Sequence, residues 1–142
     1  MTSVLTRAHP LLLMSSEPAV RQLLGHLLRQ EGYSCTAVPD GDAAFESIAR
    51  TRPLAAVLDM RAPEDDDLLF LGLLRKRHPW LGAIILLPGR CLVVHGRKEH
   101  VVENTGEGPT PNLPSLEQIG AAIDWIATQN HLDTWKPPQG LA

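Results

Sequence analysis

Short apolar runs alternate with stretches of helical period along the first two thirds of the chain. Leu11-Leu12-Leu13-Met14, Ser34–Val38, Leu54-Ala55-Ala56-Val57-Leu58 and Ala83–Leu87 are each bounded by polar residues, Gly or Pro. Runs of that length predict strands, and those that are apolar throughout predict strands buried on both faces. Between the first two runs, Val20, Leu23, Leu24, Leu27 and Leu28 recur at the spacing of one helix face. Ser16 as N-cap and Pro18 in the first turn predict its start, and Gly32 a left-handed C-cap. Asp40-Gly41 predicts a turn, then a helix to Arg50 with Ala44, Phe45 and Ile48 inside. After an acidic loop, Glu64-Asp65-Asp66-Asp67, a third helix is expected from Leu68 to Arg77, ended by His78-Pro79. Strands joined by helices imply a parallel sheet with helices on both faces.

Residues 88–114 break this rhythm. Cys91–His95 and His100–Glu103 are β-prone, and Gly96-Arg97-Lys98-Glu99 between them reads as a four-residue turn. Asn104–Pro114 is rich in Gly, Pro, Thr and Asn and reads as a loop. Ser115 and Gln118 form a capping-box signature, and Leu116, Ile119, Ile123 and Ile126 mark a last amphipathic helix to Thr128. The chain thus divides into a flexible leader (1–9), one domain (10–128) and a C-terminal tail or linker (129–142).

Length and charge narrow the function classes. The 142 residues suffice for one domain with a proper core. A net charge of −3 without a basic stripe argues against a nucleic-acid partner. The apolar patch Leu11–Met14 is too short for a signal segment or a membrane span, so no membrane association is expected. Cys35 and Cys91 form no C-x-x-C motif and fit a reducing compartment, so a cytoplasmic location is expected.

The candidate chemistry centres on Asp59, at the carboxyl end of a buried strand, where ligands bind in open α/β sheets. No nucleophile–base pair accompanies it, so an enzyme in its own right is not expected. Cys91, His95 and His100 are soft ligands, and a hairpin would place His95 and His100 across the turn from each other. Their spacing matches no zinc motif, so a small-molecule or metal-binding module over 88–114 is kept only as an alternative. In the third helix, Leu68, Phe70, Leu71 and Leu74 suffice for a buried side. Leu69 and Leu73 fall on the other side and, with Trp80 and Trp125, form a candidate interface for a protein partner or a homodimer. The alternative for Trp125 is packing against its own domain. His26 lies off the first helix's apolar stripe and reads as a surface residue.

Taken together, Leu11–Glu17 with Pro18, Ala19–Gly32 with Tyr33, Asp40-Gly41, Leu58-Asp59-Met60-Arg61-Ala62-Pro63 and Arg75-Lys76-Arg77-His78-Pro79 resemble the receiver domain of bacterial response regulators, over residues 11–128. The resemblance implies a flavodoxin-like (CheY-like) α/β fold, a doubly wound sheet of five parallel strands in order 2-1-3-4-5, with the segment between the fourth strand and the last helix altered. It also implies that a histidine kinase would phosphorylate Asp59. Five positions depart from the family pattern. Ser15 and Ser16 stand where two acidic residues help to hold Mg²⁺, Pro88 where a Thr or Ser senses the phosphoryl group, and Thr110 where a Lys is needed; Glu107 falls at the aromatic switch position. Phosphoryl oxygens and the attacking carboxylate repel one another unless cations offset the charge, and Mg²⁺ requires hard anionic oxygens. The expectation is therefore a degenerate receiver that works by protein–protein contact without the aspartyl-phosphate switch and without a cofactor. The alternative is a working receiver phosphorylated at Asp59, with Mg²⁺ held in another geometry by Glu17 or Asp65–Asp67.

Overall fold

Each expected strand forms, and in the strands Pro10–Met14, Ala55–Asp59 and Gly82–Leu87 alternate residues find a helix layer on either side. The computed structural model describes residues 10–62, 65–88, 90–103 and 113–129. Strands β1 (Pro10–Met14), β2 (Ser34–Val38), β3 (Ala55–Asp59) and β4 (Gly82–Leu87) are parallel, and β5 (Arg90–His95) and β6 (Lys98–Glu103) follow antiparallel in the order β2-β1-β3-β4-β5-β6. Helices α1 (Pro18–Gln30) and α4 (Leu116–Gln129) pack on one face over Leu11, Leu13, Val57, Ile84 and Val93. Helices α2 (Gly41–Thr51) and α3 (Asp65–Arg77) pack on the other over Leu12, Met14, Leu58 and Ile85. The alternation of side chains along a strand divides each apolar run between the two layers. No helix among the described residues is long and apolar enough to cross a membrane. The expected leader and all but Gln129 of the expected tail lie outside the described residues.

Helix ends follow cap chemistry, with corrections to the sequence reading. The N-cap of α1 is Glu17, not Ser16, and Pro18 takes the first helical position. At its other end Gly32 has φ 97°, its N–H donates to the Arg29 carbonyl, and the Tyr33 N–H donates to the Leu28 carbonyl. Those two bonds make a Schellman motif, which needs the left-handed Gly. Asp40 is the N-cap of α2 and not part of a free turn; its carboxylate accepts from the Ala43 N–H at 2.9 Å. The acidic run expected as a loop enters the first turn of α3 instead, where Asp65, Asp66 and Asp67 face the positive end of the helix dipole. Leu68 is 58% exposed and does not share the buried side, which Phe70 and Leu74 supply. It sits roughly 200° around the helix from Phe70, since each residue turns the chain by about 100°. The Ser115–Gln118 capping box at α4 is reciprocal: the Ser115 N–H donates to Gln118 Oε1 at 2.8 Å and the Gln118 N–H to Ser115 Oγ at 3.2 Å.

The fifth strand departs from the all-parallel sheet that the resemblance implies. Only Pro88 and Gly89 separate β4 from β5. A parallel return needs a crossover of about a dozen residues or more, so β5 folds back beside β4. Its hairpin with β6 turns on two residues, Gly96 and Arg97, rather than four, and His95 pairs with Lys98. Gly96 has φ 62°, the left-handed first position that a type II′ turn demands.

Gly82 marks the closest approach of α4 to the sheet. A Cβ there would lie 2.6 Å from both Cδ1 and Cγ2 of Ile126. Gly82→Ala should therefore destabilise the chain by about 1–3 kcal/mol through overpacking. Ile126→Ala removes those atoms and leaves a cavity, and the double variant should lose less than the sum of the two single losses. Urea unfolding of all four proteins measures the coupling; strict additivity would show that the contact does not limit packing.

Candidate functional site

Parallel register builds the site. Met14 is opposite Leu58, so the next residues, Ser15 and Asp59, meet at the carboxyl edge of β1 and β3. Ser15 is buried, and its hydroxyl donates to Asp59 Oδ2 at 2.8 Å. The chain then turns so that Arg61, two residues beyond Asp59, folds back over it. Arg61 Nε donates to Oδ1 at 2.8 Å and Nη2 donates to Oδ2 at 3.0 Å, a two-pronged fork. The same Nη2 reaches Glu17 Oε1 at 3.2 Å, and the Arg61 N–H approaches Oδ1 at 3.4 Å. Arg21 Nη1 donates to the Ser15 carbonyl at 2.8 Å and ties α1 to the strand end.

The electrostatics follow from this geometry. The Asp59 side chain is 7% exposed and that of Arg61 15%. Burial pushes the Asp59 carboxyl up, but the hydrogen bonds from Arg61 and Ser15 and the Arg61 charge outweigh it and hold the group below its ordinary range. Arg61 is correspondingly held above its own, chiefly by its bond to Asp59. Beside them lies a cavity of about 50 Å³ bounded by Met14, Ser16, Glu17, Pro39, Asp59, Ala62 and Asp67, room for a few waters. Both Asp59 oxygens thus point lone pairs into fixed N–H and O–H donors. The Arg61 guanidinium lies against both carboxylate oxygens. Among the described residues no group of three His, Cys, Asp or Glu is placed to hold a metal.

The structure separates the other candidates. Ser16 is exposed at the cavity rim, and Pro88 is exposed in the turn after β4. Thr110 and Glu107 lie outside the described residues. His95 and His100 do not face each other: His95 pairs with Lys98 and His100 with Val93. The shorter turn shifts the register, and the His100 ring instead stacks on Trp125 at 5.5 Å with a 12° interplanar angle. Cys91 is buried, and burial pushes its thiol up to about 11. Trp125 is thereby turned to its own domain, as is Trp80, which packs edge-on to His78 at 5.6 Å. Leu69 and Leu73 remain outward, 66% and 42% exposed. His26 is exposed, as its place off the stripe predicts. Arg61 is the residue that sequence reasoning missed. Its signal was present: a carboxylate closing a buried strand needs a counter-charge, and Arg61 is the cation two residues on.

No family model matches the chain. Over 75 residues it is 33% identical to the probable transcriptional regulatory protein TcrX of Mycobacterium tuberculosis, covering 53% of this chain and 32% of that protein. Over 110 residues it is 26% identical to the DNA-binding transcriptional regulator NtrC of Escherichia coli, covering 78% of this chain and 22% of that one. The matches span about a third or less of those relatives' length. A response regulator receiver domain from Clostridium thermocellum superposes with a TM-score of 0.62 at 14% identity, over 89% of this chain and 99% of its own. The solved complex of histidine kinase ThkA with the response regulator TrrA matches with a TM-score of 0.50 at 26% identity, over 63% and 74% of the respective chains.

Proposed function

We propose that this chain is a receiver-type domain of the response-regulator kind, an atypical, cytoplasmic member that signals by protein–protein contact, without Mg²⁺-dependent phosphorylation of Asp59. The observation that carries this reading is the Arg61 fork on Asp59. Phosphoryl transfer needs a carboxylate oxygen free to attack and a divalent cation to offset charge on the incoming group. Here both oxygens are engaged, and Ser15 and Ser16 supply hydroxyls where carboxylates would hold the metal. The fork has the opposite use: it fixes the strand end in one state and keeps the carboxylate ionised. Incubation with Mg²⁺ and acetyl phosphate should leave the intact mass unchanged. A stoichiometric phosphoryl adduct on Asp59 would overturn the reading.

A second reading, a receiver that still accepts phosphoryl from a histidine kinase, draws on the likeness to the ThkA–TrrA complex. Beryllofluoride with Mg²⁺ separates the two, since a working site would show amide shifts around Asp59 and a closed one would not. In either case contact surfaces matter. The pair Leu69 and Leu73 offers an outward apolar patch one helical turn apart, suited to a protein partner or to a second copy. If that patch dimerises the chain, Leu73→Glu should give a monomer by light scattering; an unchanged dimer would move the interface elsewhere.

A further inference from the structure

The short link between β4 and β5 has a structural consequence. Every earlier strand is followed by a helix that returns over the sheet, and β4 is followed only by a turn. On the face covered by α2 and α3, the described chain provides no helix beyond α3. The sheet continues there through β4, β5 and β6. By register, Ile85, Leu92 and Val101 share that face as successive partners. Burial fades along this row: Ile85 is buried, Leu92 half-buried and Val101 47% exposed.

The wall opposite is one side of α3. Leu68, Leu71, Gly72 and Arg75 fall at i, i+3, i+4 and i+7 and so form one stripe. Leu68 is exposed, and a Cβ at Gly72 would meet nothing within 4 Å. Between the Gly72–Arg75 half of this stripe and the turn end of the hairpin lies a groove of about 480 Å³, lined by Gly72, Leu74, Arg75, His78, Val94 and Arg97 among others, with Leu68 and Leu71 farther along the stripe and the Ile85–Leu92–Val101 row farther along the strands. Its floor is apolar and its rim is cationic. Arg75, Lys76 and Arg97 all line it, and Arg75 is held in place by Nη2 donating to the Gly96 carbonyl at 3.1 Å. One carboxylate, Glu99, stands opposite Val94 on the hairpin, so the balance at this end remains positive.

We propose that this groove seats an acidic amphipathic helix of a partner protein. A helix suits it because the groove lies over a sheet face, in the layer where the other connections place helices; a strand would have to add at the β6 edge instead. The absent side chain at Gly72 lets a helix backbone come close. Three rim cations select carboxylates on the flanks of the partner's apolar stripe and reject basic helices. This proposal is independent of the state of Asp59, so it stands or falls apart from the reading above.

The test uses the full chain and a fluorescein-labelled synthetic helix with Leu at i, i+3, i+4 and i+7 and Glu on both flanks. Two controls accompany it: the same peptide with Lys for Glu, and a scrambled one. Fluorescence anisotropy should show saturable binding of the acidic helix and at least roughly tenfold weaker binding of both controls, with loss of affinity as salt rises. Gly72→Glu and Arg75→Glu should each weaken binding by at least about tenfold. Gly72 is exposed with open space at Cβ, so thermal unfolding of that variant should be unchanged or improved and a folding defect does not obscure the result. Equal binding of the scrambled or the basic peptide overturns the proposal, as does indifference to Gly72→Glu or an absence of saturable binding. Binding that appears only after Trp135→Ala would assign the groove to the chain's own tail. A dimer in sedimentation that Gly72→Glu dissociates would assign it to a second copy.

Discussion

Arg61→Ala is expected to lower the unfolding free energy by about 3 kcal/mol at neutral pH, because it leaves the Asp59 carboxylate buried without its counter-ion. That value is the low end for breaking a buried pair, since the Arg61 side chain is 15% exposed and a small water-sized cavity adjoins Asp59. The pH dependence carries the more specific signature. In the natural chain the folded Asp59 titrates below its unfolded value of about 3.9, so its stabilisation is complete above that value and is lost as pH falls through the folded one. Without the Arg61 side chain, burial still raises the carboxyl and the bonds from Ser15 and from the residue-61 backbone N–H still lower it, but the largest lowering influence is gone. The folded group then titrates above its value in the natural chain. The stability that Arg61 confers is complete above the variant's folded value and is lost as pH falls from there toward the folded value of the natural chain. The gap between the two proteins should therefore narrow as pH falls from neutral to about 3, read from urea midpoints. Arg61→Lys should fall between them, because an ammonium supplies charge without the planar fork. A constant gap across that range would mean that Asp59 is not the group Arg61 serves.

Much of this frame is legible in the chain, and the failures have physical causes. Four parallel strands follow from four short apolar runs, and the helices between and after them from apolar spacing that the core confirms at Leu24, Leu28, Ile48 and Ile126. Placing Ser15 beside Asp59 required only the parallel register of two strand ends. The pairing of Arg61 was missed because the family pattern directs attention to the residues that are lacking rather than to what fills their place. Lys98 and Glu99 read as turn residues by polarity, although an edge strand carries polar side chains on its open positions. Leu68 was assigned to the core by hydrophobicity alone, when its angle around α3 sets it apart from Phe70 and Leu74. The direction of β5 was the least accessible feature. Nothing in Cys91–His95 distinguishes a parallel from an antiparallel strand; the two-residue link before it does, and only once the end of β4 is known.

If the fork is what replaces the metal, exchanging the two should be possible. Ser15→Asp combined with Arg61→Ala is expected to give a chain whose stability depends on Mg²⁺, while the natural chain shows no dependence. The Ser15 oxygen lies 2.8 Å from Asp59 Oδ2, so a carboxylate there would put two anionic groups side by side. Without a cation they repel, and the double variant should unfold more easily than Arg61→Ala alone. Removing the guanidinium also frees Glu17, now 3.2 Å from Nη2, to approach as a further oxygen ligand. Mg²⁺ that binds only the folded form then adds about 2.7 kcal/mol when its concentration is a hundredfold above the dissociation constant. Thermal unfolding across a Mg²⁺ titration reads this directly. Ser15→Asp alone supplies the internal comparison. With Arg61 still present, both carboxylates share one guanidinium, and the melting temperature should respond little to the metal. A rise in the melting temperature of the natural chain with millimolar Mg²⁺ would show that a cation reaches Asp59 past Arg61, and the closed site would have to be given up for a metal-dependent one.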